Sequence, residues 1–239
     1  MLMSADNSKS IMIVGAHAGD AELMAGGVAA KYAGMGHAVT LVHMTLGEKG
    51  HPTMRPEDYA VQKEREAREA ARVLGAGVRF MPYKDGELNA NDEAKYALCD
   101  VIREVKPNLI VTHWKGSIHK DHTATYDIVQ DAVFYAALPA ISRKLPAHGC
   151  WRLFYAENWE DPRDFDIDTY VDVAGFMDVW EEAVTSYQFV KGGISRFRYL
   201  DYYKALMAMR GCLSNYQVAE GFMSPPGALI RKGPGFPGF

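Results

Sequence analysis

A chain of 239 residues, 48% hydrophobic and 23% charged, has apolar material for one α/β domain with a buried core and too little length for a second full domain. Its formal net charge of -4, with no dense stripe of Lys and Arg, offers nothing to pair with a phosphate backbone, so nucleic acid is not an expected partner. Cys99, Cys150 and Cys212 lie far apart and outside any CxxC pattern, as buried cysteines of a reducing compartment do, and no apolar run reaches the length of a membrane span.

In chain order, the polar start from Met1 to Ser10 has no leader-like apolar run, which predicts an unprocessed, cytoplasmic protein. The first buried strand is expected over 11–16. It ends in His17-Ala18-Gly19-Asp20, with a helix from Ala21, so His17 and Asp20 occupy a strand-to-helix turn where ligands of α/β sheets bind. Taken alone, both fit a plain turn with Asp20 as the helix cap. A second strand is expected over 39–44. In the helix over 58–74, Ala60, Ala67, Ala70, Ala71 and Leu74 make the inward stripe and Lys63 falls on it, so Lys63 points to the core or a cleft. Glu66 is a second inward charge, whereas Glu64, Arg65, Arg68, Glu69 and Arg72 read as a solvated face.

Strands follow over 78–82, 109–112 and 151–155. After the fourth comes His113, then His119-Lys120-Asp121-His122 at the start of a helix over 123–136. Two imidazoles and a carboxylate at a helix N-terminus are ligand types that zinc accepts, and with the first cluster they suffice for three ligands and an open position. The alternative is that one histidine caps the helix and the other packs. Alternation of strands and helical segments predicts a Rossmann-like three-layer sandwich with a mostly parallel sheet, a single domain over 1–239 whose end, 224–239, is a Pro/Gly-rich tail. Aromatic runs in the last third and the ending Phe236-Pro237-Gly238-Phe239 suit contacts between subunits, so a homo-oligomer is expected.

With both clusters in view, the sequence resembles the PIG-L/LmbE-like family of zinc-dependent N-acetylglucosaminyl deacetylases, which includes enzymes of bacillithiol and mycothiol synthesis. The family's AHPDDAE motif and Gly-Gly pair correspond to AHAGDAELMAGG from Ala16 to Gly27, and its HPDH motif to His119-Lys120-Asp121-His122. Further agreements are Thr45 to Gly50, Leu74-Gly75, Asp85-Gly86 and Ala219-Glu220-Gly221-Phe222. The resemblance implies that His17, Asp20 and His122 hold zinc, with iron(II) also suited to two histidines and a carboxylate. It implies that His119 is an acid or electrostatic stabiliser, that Asp121 orients an imidazole, and that Asp85 and Lys63 contact an N-acylated, sugar-like substrate, with Glu48 nearby. Lys63 stands where the family usually has arginine.

One departure bears on activity: the family's catalytic base is the first aspartate of its PDD triplet, and here that position is Gly19. Loss of a general base costs about 10²–10⁴-fold. Glu22, Glu48 and Glu157 are the carboxylates considered as replacements, each also readable as an ordinary loop or capping acid. Three functions are therefore open: a metal-dependent deacetylase-type hydrolase with an atypical base, a metal-bearing sugar-binding pseudoenzyme, and a hydrolase or lyase whose base lies elsewhere. A nucleotide-dependent Rossmann enzyme is disfavoured because Gly15, Gly26 and Gly27 form no GxGxxG turn.

Overall fold

The computed structural model describes residues 8–225, 231–233 and 235–236. The elements are β1 (Ser10–His17), α1 (Asp20–Gly34), β2 (Ala38–Thr45), α2 (Pro56–Leu74), β3 (Gly77–Tyr83), α3 (Asp92–Val105), β4 (Leu109–Thr112) and α4 (Lys120–Ala137), followed by β5 (Leu153–Ala156), β6 (Thr169–Asp172), α5 (Met177–Val184), α6 (Gln188–Lys191), α7 (Tyr199–Ser214), β7 (Ala219–Met223) and β8 (Arg231–Gly233). They form an eight-stranded sheet in the order β3-β2-β1-β4-β5-β7-β6-β8. The first five strands are parallel, and β7 runs antiparallel to both β5 and β6.

Strand β1 is apolar along nearly its whole length because both of its faces are covered. Ile11 and Ile13 enter the core made with α1, α2, α5 and α7, while Met12 and Val14 enter the opposite core made with α3 and α4. Local chemistry sets the helix ends. Pro56 opens α2 and Gly75 closes it at φ 70°, and the Asn91 side chain accepts from the Ala94 N–H to cap α3. Helix α1 is broken at Ala25, whose φ of -150° is not helical. There the Trp180 indole donates to the Glu22 carbonyl, and the Glu220 carboxylate accepts from the Gly27 and Val28 N–H groups.

The expected strand at 151–155 begins two residues later, and Trp151 is 78% exposed. Strands β6, β7 and β8 go beyond the sequence-based expectation. Residues 231–233, inside the expected tail, pair in parallel with β6, and Phe236 is buried against Tyr32, Phe154 and Phe222 of its own chain. It is thus filled internally and not free for a neighbouring subunit. Pro226, Gly227, Pro234, Pro237, Gly238 and Phe239 of the tail, and Met1 to Asn7 at the start, lie outside the described residues. Among the described residues no helix is long and apolar enough to cross a membrane.

Candidate metal centre and active site

Strands β1 and β4 are neighbours at the point where the strand order reverses direction, so their carboxyl ends open one crevice. His17 ends β1 and His113 follows β4. Between His17 and α1 the chain turns through Gly19 at φ 109°, a left-handed conformation that glycine adopts without strain. The turn brings Asp20 back over the strand, where its Oδ2 accepts the His17 N–H at 2.7 Å. That same oxygen lies 3.1 Å from His17 Nδ1, 3.4 Å from His122 Nε2 and 3.3 Å from His113 Nε2.

Which of these nitrogens are free follows from their other partners. His113 Nε2 accepts the Ala16 N–H at 3.0 Å, so its Nδ1 carries the proton and donates to Asp161 Oδ2 at 2.8 Å. His113 is therefore fully engaged. His122 Nδ1 donates to the other oxygen of Asp161 at 2.9 Å, which leaves Nε2 as a buried acceptor with no hydrogen-bond partner. A buried, orphaned imidazole nitrogen beside a carboxylate has the chemistry of a metal ligand held by an outer carboxylate. Among the described residues three groups have ligand atoms close enough to share a cation, His17 with His119 and His122, Asp20 with His113 and His122, and His17 with Asp85 and Asp121, so that His17 and His122 each belong to two of them.

The charges agree. Burial works against protonation of His17, yet Asp20, with Asp121 and Asp85 behind it, raises its pKa well above the ordinary value. Burial also opposes charge on His122, and Asp20 and Asp161 nonetheless lift it to about 9. Asp20 resists its own burial through the same histidines and falls well below the usual carboxylate range. This donor set asks for positive charge, which protons supply in part.

Above it lies a cavity of about 270 Å³ whose lining includes His17, Asp20, Lys63, Asp85, His119 and Glu160. His119 caps α4: its Nδ1 accepts the Asp121 N–H at 3.2 Å, while burial and the adjacent histidines lower its pKa. Asp121 is wholly buried; one oxygen accepts the Gly86 N–H at 2.6 Å and lies 3.4 Å from His17 Nε2. Asp85 places one oxygen 3.3 Å from the same nitrogen and accepts the Lys49 N–H with the other. Glu48 stands behind Asp85, accepting its N–H at 3.0 Å. Lys63 is buried at 4% exposure and reaches the cavity from α2, as its place on the inward stripe required.

The considered replacement carboxylates are engaged elsewhere. Glu22 is buried behind the site, accepting from the Tyr187 hydroxyl at 2.7 Å with His43 at 3.3 Å, and Glu157 is gripped by the Arg210 guanidinium. The acid that does reach the centre is Glu160, with Oε2 3.5 Å from His122 Nε2 and a pKa raised by burial. Sequence reasoning missed both Glu160 and Asp161. They lie in the loop after β5, in an Asn-Trp-Glu-Asp-Pro stretch whose acids read as turn residues, and only the alternation of strand and loop at the same sheet edge pointed toward them.

A family model described as PIG-L, GlcNAc-PI de-N-acetylase, matches residues 12–133. The chain is 26% identical over 212 residues to the 4-oxalmesaconate hydratase of Pseudomonas putida, a match covering 85% of this chain and 80% of that one. It is 32% identical over 169 residues to the 1D-myo-inositol 2-acetamido-2-deoxy-alpha-D-glucopyranoside deacetylase of Streptomyces griseus, covering 58% of this chain and 53% of the relative. The chain thus spans about half the length of that deacetylase. Among solved structures, a conserved protein from Thermus thermophilus superposes with a TM-score of 0.80 at 27% identity, over 93% of this chain and 97% of that one.

Proposed function

The chain belongs to the PIG-L family, and on that premise we propose that it is a metal-dependent hydrolase of the N-deacetylase type, acting on an N-acyl amino sugar or a related N-acylated small molecule. The observation that carries the reading is the approach of His17 and the orphaned His122 Nε2 to one oxygen of Asp20, beside a cavity that His17, Asp20 and Glu160 line. These three residues would hold the cation, zinc by analogy with the family or iron(II) by ligand type; when bound, it acidifies water and polarises a carbonyl.

The remaining work falls to the chain. Glu160 takes the place of the missing aspartate as acceptor of the attacking water's proton, since its carboxylate is the one at the centre without a hydrogen-bond donor already assigned to it. His119, whose Nδ1 is occupied by a backbone N–H, presents a protonated Nε2 to the developing oxyanion or the departing amine. Asp161 fixes the tautomers of His113 and His122 together, and Asp121 holds the His17 ring. Asp85, backed by Glu48, offers an acceptor for substrate hydroxyls. The same reading places the protein in the cytoplasm, with three cysteines outside any disulfide of which Cys99 and Cys150 are buried as expected and Cys212, against expectation, is exposed, and in a homo-oligomer, which sedimentation of a monomer alone would remove.

The test is acetate release from N-acetylated amino sugars by zinc-loaded protein beside Glu160→Gln and His122→Ala. Turnover that falls about 10²-fold or more in both variants supports the assignment; turnover untouched in Glu160→Gln sinks Glu160 as the base. A second reading has its own observation. The family's base position is a glycine with Phe189 packed on it, and the relative matched over most of the chain is named as a hydratase. Water addition to the double bond of an unsaturated acid, followed by loss of ultraviolet absorbance with no acetate release, would favour that reading over amide hydrolysis.

A further inference from the structure

Between α6 and α7 the chain runs along the cavity wall as a strap that secondary structure does not hold. Among the described residues, no backbone group from Gly192 to Phe197 bonds to another backbone group; the Lys191 N–H donates to the Tyr187 carbonyl just before the strap, and Tyr202 to the Arg198 carbonyl just after it. The Phe197 N–H donates to Ser195 Oγ at 3.1 Å, a bond internal to the strap. A segment whose backbone bonds to nothing around it opens far more readily than the helices that flank it. The strap begins at Gly192 and Gly193, with φ of 90° and 93°, and a Cβ at either would meet nothing within 4 Å. Two adjacent glycines in left-handed φ with open space around them can absorb a change of chain direction, as a hinge does.

Side chains alone fasten the strap. Ile194 and Ser195 line the cavity beside Trp159, Glu160, Phe189 and Tyr199. Ile194 and Phe197 belong to neither apolar core, whereas Trp159, Phe189 and Tyr199 pack against one of them. The Phe197 ring stacks on the Trp159 indole, centroids 4.3 Å and planes 19° apart, and meets Tyr199 at 4.8 Å and Tyr202 at 5.3 Å. Trp159 directly precedes Glu160, so the stack ties this wall to the loop that carries the acid at the metal centre. One ring pair is worth about two- to tenfold in an equilibrium, enough to favour the closed position and too little to make it permanent.

We propose that residues 192–198 are a gate over the metal cavity, hinged at Gly192 and Gly193 and latched by the stack of Phe197 on Trp159, which swings out to admit and release what binds the centre. The gate serves amide hydrolysis and hydration alike, because both require the bound species to be enclosed during reaction and freed after it. It rests on the proposed function only in that the centre is taken to hold a cation.

The test has two arms. Lys191, Arg196 and Arg198 are exposed, and trypsin cuts beside them only when the chain around the bond leaves its folded conformation. Cleavage after Lys191, five positions from the nearest substitution in the strap, is timed by mass spectrometry on native protein for wild type, Phe197→Ala, Trp159→Ala, the double variant and Phe197→Trp. Each alanine variant is expected to be cut about three- to tenfold faster, the double variant no faster than either, since one stack is lost in all three, and Phe197→Trp near the wild-type rate. Equal rates in wild type and Phe197→Ala, or effects that multiply in the double variant, overturn the latch. The second arm times zinc uptake, and zinc release to a chromophoric chelator, in the same proteins. A gate changes the path and leaves the end states alone, so Phe197→Ala should speed both steps by one factor at unchanged affinity. Unchanged rates overturn the gate, as does faster release at weaker affinity, which would make the strap a support for the ligands. Melting temperature should stay near wild type because Phe197 lies outside both cores; a large fall would make the strap a structural wall and overturn the proposal. The two readings fail separately: protein that takes up no zinc loses the metal centre, while the trypsin comparison still decides whether the latch holds a moving strap.

Discussion

Gly19 stands where the proposed hydrolysis lacks the family's base, and its surroundings leave no room for a side chain. At φ 109° any side chain is strained, and a Cβ would stand 2.8 Å from Phe189 Cζ. Restoring the family's aspartate by Gly19→Asp therefore costs about 1–3 kcal/mol of stability from the backbone alone and brings no gain in acetate release, measured by urea unfolding and a turnover assay side by side. A more active Gly19→Asp would mean that Phe189 yields readily and that the chain is a deacetylase lacking only its base. Asp161 is the converse case, a residue whose role shows only in three dimensions. Its two oxygens hold Nδ1 of His113 and of His122, and Asp161→Asn must present an NH₂ to one of two N–H donors. Zinc affinity, read by competition with a chromophoric chelator, is expected to drop about 10–100-fold; an unchanged affinity would show that packing alone orients His122.

At the level of elements, the break in α1 explains why a carboxylate on β7 belongs to the scaffold. Trp180 occupies the Glu22 carbonyl, and Glu220 closes the gap by accepting from Gly27 and Val28, while both glycines of the pair admit these partners at distances a Cβ would obstruct. Glu220→Ala leaves two buried N–H groups unpaired and is expected to cost about 1–3 kcal/mol for each. Burial raises the Glu220 pKa to about 8 from an ordinary 4.5, against the opposing pull of those two N–H groups. Below pH 4.5 the unfolded carboxyl is protonated as well and nothing is lost; between 4.5 and 8 the unfolded chain releases a proton that the folded chain keeps, so Glu220's contribution falls as pH rises. Urea midpoints across that range should slope downward more steeply for wild type than for Glu220→Gln, and parallel slopes would remove Glu220 as the titrating group. The same strand marks what the sequence concealed. Strands β1, β2 and β4 are legible because burial on both faces makes them nearly continuous apolar runs, but β7 carries Glu220 and Gly221 at its centre and β6 alternates over only four residues, Thr169 to Asp172. Likewise His17, Asp20, His119 and His122 stand out through spacing at strand ends, whereas Glu160 and Asp161 enter the site from a loop that no spacing ties to it.

For the molecule as a whole, the centre lies where two stretches distant in sequence meet. His17 and Asp20 come from the β1–α1 turn, His122 from α4 more than a hundred positions later, and the two are adjacent because β1 and β4 pair at the reversal of strand order. A cation bound by all three therefore binds the native arrangement and not the unfolded chain, and its affinity appears as folding stability. At a free zinc concentration about a thousandfold above the dissociation constant the gain is about 4 kcal/mol. Melting curves should consequently fall on treatment with a chelator and recover with zinc. The effect should weaken as pH falls below about 9, because His122 and His17 then hold protons that the cation must displace. His122→Ala should abolish the zinc-dependent shift; its ring is buried against His113 and bonded to Asp161, so the variant also melts lower without zinc, but it belongs to neither apolar core and the fold is expected to survive. If zinc leaves the melting temperature of wild type unmoved at neutral pH, the three donors are a proton-bridged cluster, and the hydrolytic and hydratase readings both lose their common foundation.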